Sequence, residues 1–130
     1  MSNFPLHQAA QIGDVDFILQ HAGKTYPVDD INDKGWTPLV LAVFHAHRPC
    51  IEALLSAGAN INYQNPKGTS ILMYAKTNLL HTGNYELLDY LIQKGADIHI
   101  KDKVNNWTIL DYILEKGDIH MHQYLTQKYL

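Results

Sequence analysis

The amino-acid sequence predicts an all-α fold: a short solenoid of about four helix-turn-helix units joined by β-hairpin loops. Three observations predict it. The phrase "GWTPLVLA" at 35–42 returns 33 positions later as "GTSILMYA" at 68–75, and a fixed period of this size is the signature of a stacked array. Inside each unit the apolar residues recur at i, i+3 and i+4, the spacing of one buried helical stripe. Finally, a unit of two helices and a hairpin is too small to bury its own apolar face, so it must stack on its neighbours.

Unit one covers approximately 1–33. Its "FPLHQAA" (4–10) lies over "TPLVLAV" (37–43) and should open a first helix. Unit two, 34–66, shows every element. Thr37 can cap the orphan N–H groups of a helix, and Pro38 suits the first turn. Leu39, Ala42 and Val43 form the stripe of the first helix. A polar break follows at "HAHRP", and Pro49 starts a second helix with the stripe Cys50, Ile51, Leu54 and Leu55. Gly58 stands where a helix commonly stops in a left-handed residue, and "ANIN" leads extended chain into the next hairpin.

Unit three, 67–104, repeats the ending: "LIQKGADIH" (91–99) lies over "LLSAGANIN" (54–62). Gly58 and Gly95 are 37 positions apart, so four extra residues lie between Ala75 and Asn84. Four residues are close to one helical turn of about 3.6. "KTNLLHTG" (76–83) therefore either lengthens the first helix without rotating its buried face, or bulges out as a loop. Unit four, 105–130, begins at "NWTILDYI" (106–113), where Asn106 replaces the hairpin glycine, and stops inside its second helix at "HQYLTQKYL". The expected organisation is a single domain over 1–130, capped at both ends.

These anchors resemble the ankyrin-repeat family, whose pattern reads approximately Gly-x-Thr-Pro-Leu-His-Leu-Ala-Ala, a second helix ending in Leu-Leu, then Gly-Ala-Asp-Val-Asn. The resemblance implies protein binding without catalysis, through the hairpin tips and the exposed, concave side of the first helices. The matching positions are Asp33, Lys34, Trp36, Phe44 and His45 in unit two, and Pro66, Lys67, Thr69, Lys76 and Thr77 in unit three. In unit four they are Lys103, Val104, Trp107, Glu115 and Lys116. Of the four Thr-Pro-Leu-His sites only the first keeps its histidine, His7; Val40, Met73 and Asp111 hold the others. In the family that histidine bonds the threonine and braces neighbouring repeats, so the brace should be missing from the later units. "HAGKTYPVDDIND" also departs from the usual ending, which leaves the first hairpin's geometry open.

Bulk properties narrow the function. The chain of 130 residues has a formal charge of −3 and Arg48 as its only arginine, a poor match to a phosphate-neutralising surface or an anionic membrane. The start "MSNFPLHQAA" has no basic segment followed by a long apolar stretch and so shows no signal peptide, and the longest apolar run, "PLVLAVF", is far short of the roughly 20 residues of a membrane span. A single cysteine, Cys50, fits a reducing, cytoplasmic compartment.

No catalytic, cofactor or metal site is expected. His45-x-His47 and His120-x-His122 look like chelating pairs, but residues two apart on a helix face different ways. No third and fourth ligand stands at diagnostic spacing. Protonating all eight histidines would carry the formal charge from −3 to +5 (−3 + 8). Cys50 reads as a packed thiol. The partner is an unidentified protein. The expected state is a monomer, with Tyr124, Leu125, Tyr129 and Leu130 offering a patch for weak self-association because not all four can face inward. Two further classes stay open: an immunity-type inhibitor of a specific enzyme, and a histidine/cysteine metal or redox protein. Trp36 and Trp107 share one repeat position on the hairpin edge, either as binding anchors or as packing over the neighbouring hairpin. Phe44 falls outside the buried stripe of its helix and favours binding.

Overall fold

Backbone hydrogen bonding in the computed structural model, which describes residues 4–82 and 85–130 and leaves the side chains of 77–82 undescribed, forms eight helices among the described residues. They are α1 (Pro5–Ile12), α2 (Val15–His21), α3 (Pro38–Phe44), α4 (Arg48–Ser56), α5 (Ile71–Thr82), α6 (Glu86–Gln93), α7 (Ile109–Glu115) and α8 (Ile119–Tyr129). Among the described residues there are no strands, only isolated bridges at Ala22–Tyr26 and Gln64–Ser70. The first helices α1, α3, α5 and α7 pack side by side in one layer, and each rests on the second helix of its own unit.

The starts of the helices follow from local chemistry. Thr37 accepts the Val40 amide at 3.3 Å, and Pro38 fills the first turn. Asp14 and Asp118 cap α2 and α8 by accepting the Phe17 and Met121 amides. Thr108 and Asp111 form a reciprocal capping box at α7. Such caps satisfy amides that have no partner within the helix.

Stacking changes the buried pattern. Leu39, Ala42 and Val43 are buried as expected, but so are Pro38, Val40 and Leu41. The reason is that α3 is covered by α1, α4 and α5 at once, and a helix enclosed this way is apolar all round. In α4 the buried set is Cys50, Ile51, Ala53 and Leu54, whereas Leu55 is only half-buried. At the end of α4, Gly58 has φ +97°. Its N–H donates to the Leu55 carbonyl, and the Ala59 N–H donates to that of Leu54, both at 3.0 Å. That pair of bonds is the left-handed stop expected there.

Helix α5 has 12 residues against 7 in α3 and α7. The extra residues of unit three therefore lengthen its first helix, and the bulged loop is excluded for 76–82. Residues 83 and 84 lie outside the described set.

The hairpins are shaped by side chains that the repeat alignment did not single out. Asn32 Oδ1 accepts the Lys34 and Trp36 amides, and Asn65 Oδ1 accepts those of Lys67 and Thr69. Asp102 Oδ1 does the same for Asn105 and Trp107 across a tip one residue longer, with Asn106 at φ +59° in the glycine's place. Neighbouring loops are tied in register. The Asp29 carboxylate accepts the Asn60 amide at 3.1 Å, and one unit on Asn62 Oδ1 accepts the Asp97 amide at 2.8 Å. The atypical first hairpin folds tightly, with Gly23 N–H donating to the Tyr26 carbonyl at 2.8 Å and the Phe17 ring lying 6.1 Å from that of Tyr26.

The C-terminal run is packed against the stack for three of its four apolar residues. Leu125 is fully buried, Tyr124 and Tyr129 are half-buried, and both tyrosine hydroxyls donate to the Asp89 carboxylate on α6. Only Leu130 faces outward. The aromatic residues are consumed in holding α8, because their hydroxyls find a charged acceptor that sequence spacing does not reveal.

Candidate protein-binding surface

The hairpin of unit two places Trp36 directly after Gly35, its amide fastened to Asn32. The half-buried indole stacks on Phe44 with ring centroids 6.1 Å apart, and Tyr74 of the next unit meets it edge-on at 5.9 Å. Lys34 Nζ lies 5.1 Å from the indole centroid, and His45 meets Phe44 at 5.2 Å. Asp33, Lys34, Trp36, Phe44 and His45 thus line one open groove of about 580 Å³, whose other wall is Phe4, His7, Gln8 and Gln11 of unit one. Phe44 and Trp36 are partly exposed within it, so the groove has an aromatic floor with polar rims.

His7 forms the brace between units one and two, with a geometry different from that expected. Unit one has Phe4 where the threonine would stand, and His7 Nε2–H donates to the Trp36 carbonyl of the next unit at 2.8 Å. In the later units no side chain at this position reaches across: Met73 sulfur accepts the Ser70 amide, and Asp111 closes its own capping box. Burial lowers the His7 pKa from 6.5, against the Trp36 carbonyl and the nearby Asp30 charge, which raise it. His7 therefore resists joining the charge change expected of all eight histidines. A histidine with a depressed folded pKa takes up its proton more readily in the unfolded chain. The stability contributed by neutral His7 is full above pH 6.5 and is lost as pH falls below that value. The variant His7→Gln keeps a donor but does not titrate, and its denaturant midpoint should depend less on pH between 7.5 and 5 than that of the wild type. Parallel pH profiles would refute the assignment.

Units three and four form two smaller hollows on the same side. Thr69 and Lys76 face Met73, Asp102 and Tyr112 around about 190 Å³. Trp107 and Glu115 line a third with Asp111 and Leu114, about 380 Å³. Pro66, Lys67, Lys103 and Val104 are exposed at hairpin tips, and the Lys103 N–H donates to the Lys67 carbonyl at 2.9 Å. Lys116 is exposed just beyond α7. The side chain of Thr77 lies outside the described residues. The expected positions therefore gather into three patches in a row. Tyr74 and Tyr112 were missed by the sequence reading. They stand in phase with Leu41, and they bond Asn65 and Asp102 through their hydroxyls, which pins each hairpin to its first helix. That shared phase was the available signal.

A further hollow lies elsewhere, between α4 and α6. About 650 Å³ is bounded by Glu52, Leu55, Ile61, Tyr90 and Lys94 among others. Beside it the Arg48 guanidinium covers the Tyr90 ring at 3.6 Å. Its walls come from two units at unmatched repeat positions, so the periodic reading did not find it.

His45 and His47 also need correction. They flank Ala46 at φ +56° in the turn after α3, not on a helix, and their rings lie 6.1 Å apart. His47 Nε2 is engaged with the Gln11 carbonyl at 2.9 Å. Among the described residues no three His, Cys, Asp or Glu side chains are grouped to hold a metal ion. Cys50 is 1% exposed, and burial, helped by Asp14, pushes its thiol pKa up. That is the reverse of a reactive thiolate. Among the described residues no helix is long and apolar enough to cross a membrane.

Comparison with known proteins gives one answer. The family model for ankyrin repeats, in three copies, matches residues 6–102. An ankyrin repeat protein of fowlpox virus (strain NVSL) is 34% identical over 100 residues, 75% of this chain and 22% of that protein. The ankyrin repeat and KH domain-containing protein mask-1 of Caenorhabditis elegans is 27% identical over 124 residues, 93% of this chain and 4% of that one. The mouse ankyrin repeat and SAM domain-containing protein 6 is 34% identical over 82 residues, 62% of this chain and 9% of its own length. The chain thus spans under a quarter of each of these relatives. Repeats of this kind are generally protein–protein interaction modules and typically non-catalytic. With the periodic sequence, the stacked helix pairs and the match over 6–102 in agreement, the chain belongs to the ankyrin-repeat family.

Proposed function

We propose that the chain is a single 1–130 binding domain that docks a protein partner on its hairpin tips and first-helix side and carries out no chemistry itself. The observation that carries this reading is the convergence of Asp33, Lys34, Trp36, Phe44 and His45 on one open groove with an aromatic floor. Half-exposed aromatic side chains held rigid by neighbours lose little entropy on binding and commonly anchor interfaces. Pro66, Lys67, Thr69, Lys76, Thr77, Lys103, Val104, Trp107, Glu115 and Lys116 extend the same surface. A single buried cysteine suits work in the cytoplasm.

The test is capture of the partner from the source cell's lysate by wild type, Phe44→Ala and Trp36→Ala, followed by measured affinities. Phe44→Ala should weaken binding by at least about tenfold, about 1.4 kcal/mol, with its melting temperature nearly unchanged. Trp36→Ala should lose affinity and some stability, since the indole also packs on Tyr74. If Tyr90→Ala weakens capture while both groove variants bind normally, the interface lies on the α4–α6 side instead.

A further inference from the structure

Lys76 is a half-buried ammonium on the partner-facing side of α5, with its Nζ 4.5 Å from the Tyr112 ring centroid. Among the described residues no carboxylate stands within ion-pair distance of it. Asp102, which lines the same hollow, is 6% exposed and already accepts the Asn105 and Trp107 amides and the Tyr112 hydroxyl. Lys76 therefore faces the hollow without a direct ion pair among the described residues.

The surroundings repeat that imbalance. Five of the chain's nine lysines, Lys34, Lys67, Lys76, Lys103 and Lys116, stand at the hairpin tips and the exposed first-helix positions. Asp33, Asp102, Asp111 and Glu115 are the carboxylates at or beside those positions, so this side carries +1 and the remainder of the chain −4, within a total of −3. Burial and the charge of Lys116 lower the Lys76 pKa, only partly opposed by Glu115. An anion entering the hollow would relieve that cost.

We infer that Lys76 and the hollow bounded by Thr69, Met73, Asp102 and Tyr112 are a carboxylate-receiving subsite for an acidic segment of a protein partner. The inference rests on the protein-binding reading above and gives that partner a charge. At about 190 Å³ the hollow has the volume of a few water molecules of about 30 Å³ each, which suits one aspartate or glutamate side chain. A polyphosphate chain is a poorer occupant, because Asp33, Glu115 and Asp102 interrupt the lysines, and Arg48, the only arginine, lies against Tyr90 on the α4–α6 side.

The test uses the full ¹⁵N-labelled chain and the peptide acetyl-Glu-Glu-Phe-Glu-Glu-amide, compared with its counterpart carrying Gln for every Glu. The acidic peptide should give saturable amide shifts at Thr69, Met73 and Tyr112 and bind at least about tenfold more tightly than the neutral one. Lys76→Gln should abolish that difference with no change in melting temperature. Equal binding of the two peptides in the groove, or no saturable shift with either at millimolar concentration, overturns the carboxylate subsite and leaves the protein-binding reading standing. Shifts confined to Tyr90 and Lys94 overturn both. Tighter binding of decathymidylate at the same residues overturns it in favour of nucleic acid.

Discussion

Gly68→Ala should destabilise the protein by about 3 kcal/mol, well beyond the ~1 kcal/mol typical of a single substitution. Two costs combine at this hairpin. Gly68 has φ +82°, where an L-residue is strained by roughly 1–2 kcal/mol. A Cβ there would also stand 2.8 Å from the Lys103 nitrogen and 3.0 Å from the Asp102 Cα, all backbone of the next hairpin. Neither neighbour can rotate aside. Asp102 is fixed by its bonds to two amides and Tyr112, and the Lys103 N–H is bonded to the Lys67 carbonyl. The hairpins of units three and four must therefore separate, at a further cost of about 1–3 kcal/mol. Gly58→Ala is the internal control: it has a comparable positive φ but nothing within 4 Å of the added carbon, so only the first cost applies. Equal shifts of the denaturant midpoint for the two variants would show that the hairpins are not in close contact.

Asp89→Ala should cost about 2–3 kcal/mol and loosen the last helix selectively. Asp89 on α6 accepts the Tyr124 hydroxyl and, at 2.6 Å, the Tyr129 hydroxyl, 35 and 40 positions away in sequence. Lys128 Nζ adds an ion pair at 3.3 Å, but that side chain is 41% exposed, so its share is small. Hydrogen bonds to a charged acceptor are worth roughly 1.5–3 kcal/mol each, and both tyrosines are close enough to solvent to recover part of that. Burial pushes the Asp89 carboxyl pKa up, but the bonds from Tyr124, Tyr129 and Lys128 outweigh it and hold the pKa below 3.8. The stabilisation is therefore full above pH 3.8 and is lost as pH falls through the lower folded value. Amide exchange should accelerate in α8 before it does in α3, and the variant should lose part of the wild type's acid sensitivity. Uniform acceleration along the whole chain would show that Asp89 supports the stack rather than clamping its end.

The two variants probe contacts of different legibility. Gly68 was visible as a repeat of Gly35 one period on, although its approach to Asp102 and Lys103 was not. Asp89 was not singled out by the repeat pattern, and its tyrosine partners read as part of a patch for self-association. The same division runs through the binding surface. Unit two's Trp36, Phe44 and His45 follow from the family pattern and do meet in one groove. Tyr74, which fixes the indole from the next unit, does not follow, nor does the solitary position of Lys76 above Tyr112.

What the sequence by itself determined is what one segment of chain decides: the period, the cap at Thr37, the left-handed stop at Gly58, and the order of units. Hydrogen-bonded turns, caps and apolar stripes join residues a few positions apart, so their rules can be read along the chain. Only the tertiary structure decided how far each helix is enclosed, which carboxylate meets which hydroxyl, and whether a lysine finds a counter-charge. Those contacts join residues 29 to 40 positions apart, as His7 meets Trp36 and Asp89 meets Tyr129. They exist because isolated units cannot bury their apolar faces and must stack. The stacking geometry then fixes every neighbour at once, and no single segment encodes it.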